Sequence, residues 1–242
     1  MEFPFLFMAL DELADHPKET LVAVKQLSNR FAAPKAFGFK INLDAFLARR
    51  PRCPIREIRE IDKYKPIFAD LKMWNGTRTM ASVVKQLVEE KVDYLNVYAL
   101  AENLLPEAVK ITGGTNTKVL GLTVLSHYDE AYCQKHFRRS LPETVRHFSE
   151  VALEAGCHGI ILPGTTLDIV RDLKTIKVAP GVRPSWFQDT RHKQEISPQE
   201  AVEKGADILV CGNPIFKSSD KIGALQKILD EIALAAKQKP YP

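Results

Sequence analysis

Short apolar runs alternate with longer amphipathic segments along the whole chain. The short runs are rich in β-branched and aromatic residues, and the longer segments place apolar residues at helical spacing. The short runs predict eight strands over residues 5–10, 36–41, 66–71, 94–98, 119–124, 159–162, 175–179 and 207–210. The longer segments predict helices over residues 20–31, 54–63, 79–90, 102–111, 142–155, 166–173, 198–204 and 221–237.

Eight strand–helix units predict an α/β fold, a (β/α)8 TIM barrel that forms a single domain over residues 1–242. No Pro-, Gly- or Ser-rich linker divides the chain. The alternative is an open doubly wound sheet, which usually has a glycine-rich turn after its first strand. Here that turn is Asp11-Glu12-Leu13. Because it contains no glycine, a dinucleotide cofactor is disfavoured.

Charge, apolar runs and cysteine spacing limit the kinds of binding partner and the cellular compartment that we expect. Lys plus Arg (34) nearly balance Asp plus Glu (30), so the net charge of +4 does not indicate a nucleic-acid partner. No apolar run approaches the roughly 20 residues that span a bilayer, so no membrane partner is expected. Cys53, Cys133, Cys157 and Cys211 are widely spaced, which is typical of a reducing compartment. We therefore expect a cytoplasmic protein.

Polar residues stand where several predicted strands end, which is where a barrel collects its chemistry. These residues are Asp11, Lys40, Asp70, Lys72, Asn75, Ser126, Gly212 and Asn213. Asp70 and Lys72 are two positions apart, so their side chains should face the same side of a strand. Together with Lys40 they predict an array of cation, anion and cation. Such an array belongs either to a catalytic site or to a salt-bridge network at the rim.

Several motifs resemble those of orotidine 5'-phosphate decarboxylases. The segment Phe68-Ala-Asp70-Leu-Lys72-Met-Trp-Asn75-Gly-Thr-Arg-Thr79 resembles the Asp-x-Lys-x-x-Asp-x-x-x-Thr signature of that family. The other similar segments, in chain order, are residues 9–11, 39–40, 122–126, 179–184, 197–201 and 205–215. Each motif alone is weak, but their order and spacing over nearly the whole chain are specific.

The resemblance implies that orotidine 5'-phosphate loses CO2 to give uridine 5'-phosphate in pyrimidine biosynthesis, with no metal or other cofactor. By analogy with the family, Lys72 stabilises and protonates the carbanion left at C6, and aspartates near the substrate carboxylate disfavour the ground state. Lys40 and Asp70 would fix Lys72 and bind ribose hydroxyls. Asp11 and Thr79 would also lie at the ribose.

The resemblance also implies residues that bind the remainder of the nucleotide. They are Ser126, Gly181, Arg183, His192, Gly212 and Asn213. Asn213 stands where the family has a phosphate-binding arginine, and His192 aligns near a glutamine of the phosphate loop. Backbone amides of Gly181 and Gly212 could still hold the anion, with charge from Arg183 or His192.

Further departures from the family fall on functional positions. Asn75 replaces the second aspartate and so lacks one negative charge. The family's residue at this position reaches in from a second subunit, so the resemblance implies a homodimer. Tyr98 stands where many relatives have histidine, and Gly76-Thr77 replaces Ile-Pro. The alternative function is therefore a divergent barrel that binds a pyrimidine nucleotide or another phosphorylated ligand with altered or no decarboxylase activity.

Other chemistries fit these residues less well. Related sugar-phosphate lyases bind Mg²⁺ through a strand-two glutamate and the second aspartate, and here those positions are Lys40 and Asn75. Ser126 and His127 are adjacent, so we interpret His127 as a solvated loop residue rather than half of a catalytic pair. The aromatic pair at 186–187 predicts either a mobile lid or anchors for an ordered loop.

Overall fold

Eight parallel strands close into a barrel in chain order, and β8 pairs with β1. The computed structural model describes residues 4–33, 36–49, 51–187 and 195–238. The strands are β1 (Phe5–Ala9), β2 (Gly38–Asn42), β3 (Ile67–Met73), β4 (Tyr94–Tyr98), β5 (Lys118–Leu122), β6 (Gly159–Ile161), β7 (Ile176–Ala179) and β8 (Ile208–Cys211). The predicted α/β class and (β/α)8 barrel are confirmed.

Helices cover the outside of the barrel and connect successive strands. In the described part of the chain they are α1 (Pro17–Arg30), α2 (Leu43–Leu47), α3 (Pro54–Ile61), α4 (Thr77–Glu89), α5 (Leu105–Thr112), α6 (Glu130–Phe137), α7 (Leu141–Glu154), α8 (Pro198–Glu203), α9 (Asn213–Phe216) and α10 (Lys221–Gln238). Three of them, α2, α6 and α9, were not predicted. Asp129 caps the amino-terminal end of α6 by accepting a hydrogen bond from the Tyr132 amide at 3.0 Å, which stabilises the helix.

The helix predicted over residues 166–173 is instead a 3₁₀ helix, Gly164–Val170. The Thr166 amide donates to the Pro163 carbonyl at 2.9 Å, which is the three-residue spacing of a 3₁₀ turn. The Thr166 hydroxyl donates to the same carbonyl at 2.7 Å. This side-chain bond favours the tighter turn over a continuous α-helix.

The core has two layers, one inside the barrel and one between the strands and the helices. The interior is filled by Phe5, Phe7, Ala9, Phe68, Tyr94, Leu120, Leu122, Ile161, Val178, Ile208 and Val210. The ring of Phe7 packs edge-on against Phe68 at 5.7 Å and Tyr94 at 5.6 Å. This plug of rings fills the barrel below its mouth, so among the described residues the space for a ligand lies at the carboxyl ends of the strands.

The amino-terminal end of the barrel holds a buried lysine. The side chain of Lys65 is fully buried, and its ammonium donates to the carbonyls of Phe31 at 2.7 Å and Ala33 at 2.6 Å. It also lies 4.5 Å from the centre of the Phe37 ring. Burial lowers the pKa of Lys65. These contacts tie the end of α1 to the start of β3.

None of the helices in the described residues is long and apolar enough to cross a membrane.

Candidate active site

A cavity of about 330 Å³ opens at the carboxyl ends of the strands. This size suits a small-molecule ligand. Nine of the predicted site residues line it: Asp11, Lys40, Asp70, Lys72, Ser126, Gly181, Arg183, Gly212 and Asn213. The fold therefore gathers residues from both ends of the chain at one mouth.

The carboxylate of Asp70 is the centre of a charged cluster in this cavity. Its Oδ2 atom lies 2.8 Å from the ammonium of Lys40 and 2.8 Å from that of Lys72. Its Oδ1 atom accepts a hydrogen bond from Nδ2 of Asn96 at 2.6 Å. The array of cation, anion and cation predicted from residue spacing is thus present, and it converges on one oxygen.

The cluster keeps Asp70 and Lys40 charged at neutral pH. Burial opposes the charge on Asp70, but Lys40 and Lys72 outweigh it and hold the pKa of Asp70 well below its usual range. Burial also opposes the charge on Lys40, but Asp70 and Asp11 outweigh it and raise the pKa of Lys40. The side chain of Lys72 is 37% exposed and lines the cavity, so its ammonium can contact a ligand bound there.

Asn42 extends the cluster to Asp11, and sequence reasoning did not single it out. Its Oδ1 atom accepts a short hydrogen bond from the Lys40 ammonium, and its Nδ2 atom donates to Oδ1 of Asp11 at 3.0 Å. Lys40 and Asp11 are themselves 3.8 Å apart. A connected set of polar groups therefore crosses the mouth from the end of β1 to β3.

Asn96 is the other member of the cluster that sequence reasoning missed. It lies on β4, where Tyr94 and Tyr98 share its inward direction because side chains alternate along a strand. Asn96 is fully buried, and it is the polar residue inside an otherwise apolar and aromatic strand. A buried side-chain amide needs hydrogen-bond partners for both its oxygen and its nitrogen. An asparagine at an inward position of an apolar strand was therefore the feature of the sequence that could have identified this residue.

The loops after β7 and β8 form the opposite side of the cavity. Gly181 has a φ of 74°, which glycine adopts without strain. At Gly212 a Cβ atom would lie 2.9 Å from the Ala9 carbonyl oxygen, so this approach of β8 to β1 requires glycine. Arg183 and Asn213 are both buried against these loops, and Asn213 begins α9. This side can offer backbone amides and one guanidinium to an anion.

The aromatic pair at 186–187 is anchored in the structure. The indole nitrogen of Trp186 donates to Oε1 of Glu231 on α10 at 3.3 Å, and the Lys227 ammonium lies 5.7 Å from the indole ring. The Phe187 ring lies 6.0 Å from the guanidinium of Arg183. These contacts favour the prediction of loop anchors over that of a lid. His192 lies outside the described residues.

Two predicted site residues do not line the cavity within this chain. Asn75 and Thr79 are exposed, Asn75 in the turn after β3 and Thr79 in the first turn of α4. His127 is also exposed, at the cavity rim, and Ser126 beside it is buried. Strand β5 ends at Leu122, so this pair lies in a loop rather than at the end of a strand as predicted. The prediction of a loop histidine at 127 agrees with this geometry.

Comparison with known proteins decides the family. The model of the "Orotidine 5'-phosphate decarboxylase / HUMPS family" matches residues 4–228. The chain belongs to this family. A relative named orotidine 5'-phosphate decarboxylase, from Methylacidiphilum infernorum (isolate V4), is 34% identical over 221 residues, which cover 89% of this chain and 93% of the relative. A relative of the same name from Streptococcus pneumoniae serotype 19F (strain G54) is 27% identical over 219 residues, covering 86% and 91%.

Solved structures in this family share the barrel. The crystal structure of orotidine 5'-phosphate decarboxylase from Lactobacillus acidophilus has a TM-score of 0.71 at 22% identity and covers 96% of this chain and 99% of that chain. The enzyme of that name from Pyrococcus horikoshii OT3 has a TM-score of 0.70 at 21% identity, with coverage of 95% and 99%. At these identities the likeness shows the fold.

Proposed function

We propose that this protein is an orotidine 5'-phosphate decarboxylase, a carboxy-lyase that converts orotidine 5'-phosphate to uridine 5'-phosphate without a cofactor. The observation that carries the proposal is the Lys72 ammonium, which is held 2.8 Å from Asp70 and exposed to the cavity. When the bond from C6 to the carboxylate breaks, its electron pair stays on C6 in the plane of the ring. A cation held beside that carbon stabilises the charge as it develops.

Lys72 also supplies the proton that completes the reaction. The proton moves from its ammonium to C6, CO2 leaves, and the neutral amine then takes a proton from water. Asp70 stays a carboxylate because its own pKa is depressed, and it holds the Lys72 ammonium 2.8 Å away before this step. Asp70 also repels the substrate carboxylate. Two charges about 4 Å apart interact by roughly 4 kcal/mol at an effective dielectric constant near 20.

The remaining predicted residues are proposed to hold the nucleotide. Asp11 and Lys40 bind the ribose, and Ser126 lies toward the base. Thr79 lies outside this chain's own cavity and is proposed to reach the ribose bound by a neighbouring subunit. At the phosphate, the amides of Gly181 and Gly212 act with Arg183, and Asn213 offers an amide where the family has arginine. The burial of Arg183 and the geometry of the two glycines support this assignment. His192 is proposed as a further phosphate ligand from the sequence alone.

We propose that two copies of the chain form a homodimer through the face beside β2 and β3. Leu43, Leu47 and Trp74 expose large apolar surfaces there, with Leu47 at 75% and Trp74 at 59%. Exposed apolar patches of this kind are typical of protein interfaces. Asn75 follows Trp74 and is also exposed, which supports its insertion toward a neighbouring subunit's site.

A second candidate is a barrel that binds a pyrimidine nucleotide or another phosphorylated ligand with little or no decarboxylation. Asn75 favours it, because the family's second carboxylate is missing at that position. A Mg²⁺-dependent sugar-phosphate lyase fits less well. The two positions that would bind the metal hold Lys40, which is engaged by Asp70, and Asn75, which carries no negative charge.

We further propose that the chain is one domain and acts in the cytoplasm. A barrel that uses strands from Phe5–Ala9 to Ile208–Cys211 supports a single domain. All four cysteines are free, and Cys133, Cys157 and Cys211 are buried. Free thiols are typical of a reducing compartment.

The test is to incubate the purified protein with orotidine 5'-phosphate and follow the loss of substrate absorbance. In parallel, uridine 5'-phosphate and uridine are titrated by calorimetry. Turnover supports the proposed enzyme. Binding of uridine 5'-phosphate without turnover supports the second candidate. If neither turnover nor binding occurs, the nucleotide itself is the wrong ligand class. Weaker binding of uridine than of its phosphate is expected from the anion-binding side of the cavity.

A further inference from the structure

The backbone of Lys72 adopts a conformation that is unusual for its residue type. Its φ is 50°, in the left-handed region that disfavours residues with a side chain. The other such residues in the described chain, Lys91 and Arg138, follow the ends of α4 and α6, where chain reversals often use this region. Lys72 lies within β3 instead. Strain of this kind persists only where the surroundings hold it.

The pairing of β3 with β4 is irregular at the same place. Ala69 pairs with Leu95, but the next aligned pair is Met73 with Val97. The segment of β3 that contains Asp70 and Lys72 is therefore longer than the β4 segment opposite it and bulges out of register. Bulges of this type redirect side chains near active sites.

One side chain of β4 fills the gap that the bulge leaves. Oδ1 of Asn96 accepts a hydrogen bond from the backbone amide of Lys72 at 2.8 Å. Nδ2 of the same residue donates to Oδ1 of Asp70 at 2.6 Å. Asn96 is fully buried and lies behind Asp70, outside the cavity lining. Asn96 thus replaces the missing strand hydrogen bond and also orients the carboxylate.

We propose that Asn96 is a positioning residue that holds the Lys72 backbone in its left-handed conformation and aims the Lys72 ammonium at Oδ2 of Asp70. With Oδ1 of Asp70 occupied by the amide, Oδ2 is the oxygen that receives both lysines. The role requires a donor and an acceptor on one short side chain, which an amide supplies and a carboxylate or an aliphatic group does not. The reaction that this geometry serves rests on the proposed function.

The main test compares Asn96→Leu with Thr117→Val. Asn96→Leu removes both hydrogen bonds at similar volume. Thr117→Val removes a buried hydrogen bond at the far end of the barrel, where the Thr117 hydroxyl donates to the Val92 carbonyl at 2.7 Å. We expect Asn96→Leu to lower kcat by roughly 100-fold or more with KM changed by less than about threefold, because a misplacement near 1 Å costs about that much. Thr117→Val should leave kcat unchanged.

A crystal structure of the Asn96→Leu protein tests the inference without any activity. The expected result is a negative φ at Lys72 and a longer distance between its ammonium and Asp70. Retention of both the φ near 50° and the 2.8 Å distance would overturn the proposal, as would a kcat loss no larger than that of Thr117→Val. If the unmodified protein turns over no orotidine 5'-phosphate, the proposed function fails, and the geometry of the variant still decides the role of Asn96.

Asn96→Asp covers the case in which Asn96→Leu does not fold. This variant keeps the acceptor for the Lys72 amide but replaces the donor to Asp70 by a second carboxyl group. Two adjoining carboxyl groups share a proton, so the pair becomes protonated at a higher pH than Asp70 does alone. The acidic limb of the plot of kcat against pH should therefore move to higher pH. An unmoved limb would show that residue 96 does not face Asp70, and it therefore overturns the proposal.

Discussion

The ammonium of Lys72 lies 2.8 Å from Oδ2 of Asp70, the same oxygen that receives the ammonium of Lys40. One carboxylate oxygen thus joins a buried lysine to one that reaches the cavity. The buried ammonium of Lys40 neutralises part of the charge on Asp70. If the charge on Lys72 is removed, Asp70 therefore still has a cationic partner. In the proposed reaction, this division separates Lys72, the group that reacts, from the groups that support it.

Replacing Lys72 by methionine should abolish turnover while leaving the fold intact. We expect kcat for orotidine 5'-phosphate to fall by roughly 10³- to 10⁴-fold, since both charge stabilisation and proton donation are lost. Asp70 stays paired with Lys40, so the unfolding midpoint should move little. The exposed Lys85→Met on α4 is the control and should retain full activity. Normal turnover by Lys72→Met would show that another group donates the proton.

Replacing Asp70 by asparagine should destabilise the fold at neutral pH. Lys72 would lose its carboxylate partner, and the buried Lys40 would keep only the more distant Asp11 at 3.8 Å. Breaking a buried pair in this way costs roughly 3–5 kcal/mol. The measurement is urea unfolding at pH 7. Asp172→Asn is the control, because the Asp172 pair with Arg146 is exposed and such pairs contribute about 1 kcal/mol or less. Equal losses for the two variants would contradict the importance of burial at Asp70.

The pH dependence of stability should change with the same substitution. The pKa of Asp70 is lower in the folded protein than its ordinary value of 3.8, so its stabilising contribution is present above that value. The contribution disappears as pH falls through the folded pKa. Between about pH 5 and pH 2 the unmodified protein should therefore lose more unfolding free energy than Asp70→Asn. Parallel curves for the two proteins would rule out a depressed pKa.

Restoring a carboxylate at position 75 should increase decarboxylation. If Asn75 faces the substrate carboxylate of a neighbouring subunit, Asn75→Asp adds a repulsion of up to roughly 4 kcal/mol in the ground state, which corresponds to a rise in kcat of up to about 10³-fold. Asn103→Asp places the same charge on another exposed loop and should have no effect. An unchanged kcat in Asn75→Asp would place residue 75 away from the reacting carboxylate.

Replacing Lys65 by methionine should affect stability without affecting catalysis. The carbonyls of Phe31 and Ala33 would lose a buried donor, at a cost of about 1–3 kcal/mol. Lys63→Met, two residues earlier and exposed, is the control and should be nearly neutral. Because Lys65 lies at the amino-terminal end of the barrel, kcat should stay the same. A large change in kcat would indicate that the lower end of the barrel is coupled to the mouth.

The sequence pattern predicted the barrel because run length, residue type and helical spacing together separate buried strands from amphipathic helices. It was less reliable where local hydrogen bonds decide the structure. Helix α6 depends on the Asp129 cap, and the 3₁₀ helix depends on the Thr166 hydroxyl. Both hydrogen bonds join residues that are close in sequence. The spacing of apolar residues, on which the prediction relied, does not reveal them.

Spacing also predicted the pairing of Asp70 with Lys72, although for a reason that does not hold in detail. Regular alternation was expected to place the two side chains on one side of β3. In the structure β3 bulges there and Lys72 has a left-handed backbone, so the pair forms through an irregularity. Asn42 and Asn96 were missed because uncharged amides match no catalytic pattern. Asn42 bridges Lys40 and the distant Asp11, and Asn96 bonds to Asp70 and Lys72 on β3. One sequence does not show these contacts between distant segments.

The order of the strands places the charged cluster and the proposed anion-binding residues on opposite walls of the barrel mouth. Lys40 and Asp70 stand on β2 and β3, whereas Arg183 and Asn213 follow β7 and β8. In a ring of eight strands β3 and β7 are opposite, so the wall that carries Lys40 and Asp70 shares no strand with the wall where we propose that a ligand's anionic end binds. The two walls can therefore diverge separately. A substitution at Asn213 on one wall needs no rearrangement of Lys40, Asp70 and Lys72 on the other.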